Sequence, residues 1–199
     1  MNSMSAEYLF QQDKNYDVSY DTGDKSLQCG RHNDIFKFWL TWRSKGRQGF
    51  AEKIENLFDV AEFTMKEIKS RSSNNFILVL PVVECLNVSF WYVPDCIRRH
   101  NLEMENWSKK PYNCDPSLLD RVAPVIKSRL MERGKTMVGY QPLEDMPNFF
   151  RIIISNSATI NDDVKVLLDE IDSIGKELTM KDLNNANVQV RNGCCFPKN

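Results

Sequence analysis

The chain has 199 residues, 42% of them apolar and 11% aromatic, with 26 basic and 27 acidic side chains for a formal charge of −1. That composition describes a globular domain with a core, and the charge balance excludes a nucleic-acid or membrane surface as the main partner. No apolar run approaches the roughly 18 residues that a membrane-crossing helix needs.

Residues 1–33 show no helical or alternating period. They carry turn chemistry at Asp13-Lys14-Asn15, Asp21-Thr22-Gly23-Asp24 and Gly30, and read as extended segments and loops. Tyr8, Leu9, Phe10, Tyr16 and Tyr20 crowd this irregular opening, and aromatics this dense need a surface to pack on. The spacing then predicts a helix over Asp34–Lys45, with Ile35, Phe38, Trp39 and Trp42 on one stripe and Gly46 at its end. A longer helix follows from Gln48 to Ser70, with Phe50, Ile54, Leu57, Ala61 and Ile68 on its apolar side.

Phe76–Val83 and Val88–Val93 are strand candidates rich in Val, Ile, Leu and aromatics. The stretch from His100 to Cys114 is polar and irregular, a surface loop. Asp115-Pro116 is a good helix start, and Leu118 through Leu130 supply an apolar face closed by Gly134. Pro124 lies inside that span and is expected to kink it or delay its start. Thr136 to Asn156 reads as two strands joined across Pro142 to Pro147. A last helix begins near Thr159-Ile160-Asn161-Asp162, a capping-box pattern with Asp in place of Glu, and buries Val164, Leu168, Ile171 and Ile174. Residues 179–199 lack period and are expected to fray. Helices that alternate with strands paired to sequence neighbours predict an α+β fold, an antiparallel sheet with helices on one side.

The six cysteines contain no CxxC pair, and His32 and His100 are the only histidines, so a metal site is not expected. The opening MNSMSAEYLF has neither a basic region nor a long apolar stretch. It does not read as a secretory signal, so reduced thiols and a cytoplasmic location are expected.

One residue stands out. The second strand of the 136–156 pair, Phe149 to Ile154, is apolar except for Arg151, and such a run expects both faces to be covered. A guanidinium cannot shed its charge, so a buried Arg needs an anion, and its planar donors suit a carboxylate through two bonds at once. Two readings stand side by side at this point. Arg151 holds an acidic ligand, or it pairs with one of the chain's own Asp or Glu residues.

Several strings carry a resemblance. AEYLFQQDKNYDVSYDTGDKSLQCGRH from Ala6 to His32, then DIFKFWLTWRSKG, NVSFWYVP, RVAPVIKSRLMERGKTMVGYQP and NFFRIIISN, resemble in the same order the pyridoxal-phosphate-dependent group II acidic amino acid decarboxylases. These include the glutamate, cysteine sulfinate and aspartate decarboxylases. The likeness runs from about Met4 to Leu178 and covers only the C-terminal part of the family. It implies the C-terminal small domain of a fold-type I pyridoxal enzyme over 34–178, preceded by a catalytic-loop segment and the end of the large domain over 1–33. Residues 179–199 remain as a disordered tail.

The resemblance also implies roles. Tyr8, in AEYLF, falls on the family's loop tyrosine, which reaches the active site of the partner subunit in a dimer and protonates the substrate's α-carbon after carbon dioxide leaves. Arg151, in NFFR, falls on the arginine for the acidic substrate's carboxylate. Cys29, in QCGR, matches a family cysteine and reads as a buried inert thiol, and His32 as ordinary packing. The family's cofactor lysine follows Asn-Pro-His, and neither histidine of this chain is followed by Lys. By the family's layout that lysine lies upstream of Met1. The resemblance therefore implies a decarboxylase portion that is inactive alone and partners a second copy or a full-length subunit. The alternatives are a non-catalytic subunit and a carboxylate-binding module.

Overall fold

The computed structural model describes residues 33–71, 75–82, 84–101, 114–143 and 146–185. Nine elements follow in order among them. They are α1 (Asp34–Ser70), β1 (Phe76–Leu78), β2 (Asn87–Tyr92), α2 (Asp95–Asn101), α3 (Pro116–Arg133), β3 (Gly139–Leu143), β4 (Met146–Ile153), α4 (Asn161–Glu177) and α5 (Met180–Asn185). The four strands form one antiparallel sheet in the order β1-β2-β4-β3. β2 pairs with β4 across the intervening α3, so the sheet closes through a non-local contact. This is the α+β layer expected, an antiparallel sheet with its helices on one side.

Register decides which side chains share a face. Phe90 and Tyr140 both stand opposite Phe150, and Val88 opposite Ile152, so these residues line one face with Phe76 and Tyr92. That face is the core. Phe76, Phe90 and Phe150 are each 1% exposed or less, and Leu119, Ile126 and Leu130 of α3 and Leu168, Ile171 and Ile174 of α4 are buried with them. The rings interlock, Phe76 edge-on to Tyr92 at 5.0 Å and Phe90 stacked on Phe150 at 5.4 Å, the offset and edge-to-face geometries that aromatic quadrupoles favour.

α4 approaches β2 at Gly175. A Cβ there would lie 2.0 Å from Tyr92 Cε1 and 2.6 Å from its hydroxyl oxygen. The same hydroxyl donates to Asp172 Oδ1 at 3.0 Å, so the ring cannot swing away freely. Gly175→Ala is expected to destabilise the fold by about 2–3 kcal/mol through overpacking, measured as a lower urea midpoint at unchanged slope. An unchanged midpoint would mean that this approach is looser than described.

α3 starts as read, with Asp115 accepting from the Ser117 N–H at 2.9 Å and Pro116 in the first turn. It then runs through Pro124 without interruption. An interior proline strips the carbonyl four residues back of its donor, here Asp120. Asn148 of β4 supplies the replacement, its Nδ2 donating to Asp120 O at 2.9 Å, while its backbone N–H donates to Asp120 Oδ1 at 2.7 Å. The sheet thus satisfies the acceptor that the proline orphans, and the helix continues past it to Arg133.

Three other boundaries differ from the sequence reading. Pro142 and Pro147 lie within β3 and β4, not in the connection, which closes between Leu143 and Met146. The last long helix is capped at Ile160, and only half of a capping box forms, the Asp163 carboxylate accepting from the Ile160 N–H at 3.0 Å. The expected tail begins with α5, whose Leu183 is fully buried and whose Asp182 pairs with Arg129 at 2.9 Å.

The two helices expected on either side of Gly46 are the two halves of α1, separated at that glycine, whose φ of 62° and ψ of −174° are a conformation open essentially to Gly alone. Every buried residue of α1 lies beyond the break, from Leu57 to Ile68. The Ile35, Phe38, Trp39 and Trp42 stripe is exposed.

The thiols differ sharply in setting. Cys85 is exposed, while Cys114 is 1% exposed and burial, with the adjacent Asp115, pushes its pKa up to about 12. An alkylating reagent at neutral pH is expected to label Cys85 on the order of 10²-fold faster or more, as followed by peptide mass spectrometry. Equal rates in the folded chain would contradict the burial of Cys114.

Candidate functional site

The second face of the sheet carries the site. Phe149, Arg151 and Ile153 point away from the helices, and register places Ser89 of β2 and Gly139 of β3 directly beside Arg151. Both neighbours are small, so the guanidinium stem is not walled in from either strand. Gln141, opposite Phe149, is the diagonal neighbour on the same face, within reach of a long side chain. Arg151 is the only charged residue in the four strands.

This face is partly covered. Trp91 and Phe149 are buried, with Trp91 Nε1 donating to Pro147 O at 3.2 Å, but Ile153 is 52% exposed and Arg151 half-buried. The expectation that the Phe149–Ile154 run is covered on both faces is therefore corrected. Helices pack on the Phe150 side, and the Arg151 side is open at one end.

Among the described residues Arg151 forms no ion pair and no side-chain hydrogen bond. The described ion pairs lie elsewhere. Arg133 and Lys135 meet Glu170 and Glu177 across the helix layer, and Arg71 meets Glu67 and Asp169. A buried acceptor on a neighbouring strand is also unfilled among the described residues. The Gln141 Oε1 atom is buried and has no partner among the described residues. A half-buried guanidinium with no side-chain partner among the described residues is a receptive surface for a carboxylate.

The sequence singled out Arg151 but missed Ser89, Gly139 and Gln141. Their signal lay only in the strand register, which sets who stands beside whom. Tyr8, Cys29 and His32 lie outside the described residues.

The comparisons with known proteins bear on this arrangement. The sequence profile of the pyridoxal-dependent decarboxylase conserved domain matches residues 1–93. A glutamate decarboxylase of Drosophila melanogaster is 48% identical over 177 residues, 89% of this chain and 32% of that protein. The crystal structure of mouse CSAD superposes with a TM-score of 0.62 at 39% identity, over 84% of this chain and 33% of that one. The chain is similar to part of the pyridoxal-dependent decarboxylases. It spans about a third of the length of the relatives it matches. The tryptophan decarboxylase of Catharanthus roseus, 19% identical at a TM-score of 0.52 over 79% of this chain and 29% of that one, shares the fold.

The similarity implies pyridoxal phosphate as the cofactor. When bound, it supplies an electron sink for the bond that breaks. The sheet that carries Arg151 does not fit it by itself. The group needs a lysine amine and an anion cradle, and the four strands contain no lysine, while Arg151 is their single cation. What the described part offers is one positive group on an open sheet face. Among the described residues, no helix is long and apolar enough to cross a membrane.

Proposed function

We propose that this chain supplies the side-chain carboxylate site of a decarboxylase acting on an acidic amino acid, with Arg151 as the residue that binds it. The observation that carries the reading is a half-buried guanidinium with no ion-pair partner among the described residues. A bidentate grip there anchors the far end of the substrate, so that the near end is oriented for bond cleavage. The relative at 48% identity is a glutamate decarboxylase, a protein whose substrate carries such a carboxylate on a short stem.

Tyr8 is the proposed proton donor to the substrate's α-carbon once carbon dioxide has left. A phenol with an ordinary pKa near 10 is protonated at neutral pH and can act once water is excluded around it. In this reading two copies, or this chain and a full-length subunit, share the work, Tyr8 of one serving the substrate held by the other, in the cytoplasm. The test is a hybrid enzyme in which this chain replaces the matching part of the Drosophila melanogaster glutamate decarboxylase. Arg151→Gln should act mainly on substrate binding. Tyr8→Phe should lower kcat by about 10²–10⁴-fold with KM little changed. The reverse pattern would sink both assignments.

A further inference from the structure

The sheet face that carries Arg151 holds more than one polar side chain. Asn87 and Ser89 of β2 and Gln141 of β3 stand on it with Arg151, in a strip that crosses three adjacent strands. Trp91 and Phe149 border the strip, edge-to-face at 6.1 Å and both buried. The four strands contain no Asp or Glu, so the strip holds one positive charge and no negative one.

Polar groups on the opposite face are used by the fold itself. Asn148 bonds to Asp120 of α3, and Tyr92 to Asp172 of α4. The strip differs. Ser89 Oγ reaches Asn87 Oδ1 at 3.5 Å, the outer limit of a hydrogen bond, so its hydroxyl is free to turn elsewhere. Gln141 Oε1 is buried with no partner among the described residues. A buried amide left unpaired destabilises a fold, whereas a methionine fills a similar volume without that cost. Glutamine at this position calls for a partner from outside the described fold.

The chemistry of an acid group identifies that partner. An ionised carboxylate offers about four lone-pair sites on its two oxygens. A bidentate guanidinium takes two of them and leaves one on each outer edge. Ser89 is directly opposite Arg151, with Cβ atoms roughly 4.5–5.5 Å apart, and Gln141 is on the diagonal at roughly 7–8 Å. The short side chain holds the near position and the long one the far position, on opposite sides of β4. We propose that Ser89 and Gln141 are further substrate-binding residues, each donating a hydrogen bond to one outer edge of the acid group that Arg151 holds. The inference rests on Arg151 being the carboxylate-binding residue. The ligand class that fits is a singly charged acid head with two oxygens, because a second negative charge has no cation on this strip to meet.

The test uses the hybrid enzyme carrying this chain, with L-glutamate as substrate. Gln141→Met should raise KM by about 10-fold or more and Ser89→Ala by about 3–10-fold, with kcat nearly unchanged. Gln141→Glu, which sets a carboxylate on the same strip, should raise KM by about 30-fold or more. Urea unfolding of the full 199-residue chain gives a second readout. Gln141→Met should unfold at the same urea concentration as the unmodified chain or at a higher one, since no internal hydrogen bond is lost. A lower midpoint would mean that the amide's partner is the chain itself and would overturn the proposal. So would an unchanged KM in the Gln141 variants or in Ser89→Ala. Arg151→Gln separates the two readings. If it weakens substrate binding while the Gln141 and Ser89 variants do not, this proposal falls alone. If Arg151→Gln itself leaves KM unchanged, the carboxylate site falls and this proposal with it.

Discussion

Arg151→Gln in the hybrid decarboxylase is expected to cut kcat/KM for the acidic substrate by about 10²–10³-fold while leaving the stability of the domain nearly untouched. The first half follows from what the side chain would lose. Removing one partner of a desolvated, charge-assisted pair costs about 2–5 kcal/mol, and each 1.36 kcal/mol is tenfold in rate. The second half follows from what it does not touch. Arg151 is half-buried and has no ion pair or side-chain hydrogen bond among the described residues, so no internal carboxylate is stranded by its removal. Changes at such positions usually stay within about 0.5 kcal/mol of the unmodified stability.

Arg151→Lys should recover only part of the binding, because an ammonium keeps the charge but not the two parallel donors. Substrate titration and urea unfolding on the same three proteins separate the outcomes. If Arg151→Gln unfolds at much lower urea and loses activity in proportion, the arginine is structural and the substrate reading fails.

The second large effect is an absence. Purified alone, with pyridoxal phosphate and an acidic amino acid added, the chain is expected to release no carbon dioxide above the buffer rate. Borohydride reduction is expected to leave no stoichiometric cofactor adduct on any one lysine. Neither His32 nor His100 is followed by Lys, and the sheet that carries Arg151 holds no lysine in any strand. A substrate held at one end, without the electron sink, has no low-energy path for the breaking bond. Measured turnover by the lone chain would overturn this expectation and with it the shared-site reading.

Much of the architecture was readable because local chemistry marks it. Asp115-Pro116 and Gly134 bracket α3, and Gly46 breaks α1 at the position where the sequence predicts a helix end. Runs of β-branched and aromatic residues located β2 and β4. Other features were opaque because their cause lies far along the chain. Pro124 is legible as a helix perturbation, but not that Asn148, on a strand 24 residues away, takes the carbonyl it frees. The Phe149–Ile154 run reads as doubly buried until the helices are seen to pack on the Phe150 face alone. The aromatic stripe of α1 was legible by period, yet period reports only that a face is apolar, never what covers it.

By itself the sequence determined the α+β class, the order of the strands and longer helices though not the short α2 and α5, and the one arginine out of place in an apolar strand. Only the tertiary structure decided that this arginine sits between Ser89 and Gly139 on an open sheet face, away from the ion pairs of the helix layer. The reason is physical. Helices and turns are specified by neighbours within a few residues, whereas the partner of a charge is chosen by strand register and helix packing, which bring together groups separated by tens of residues.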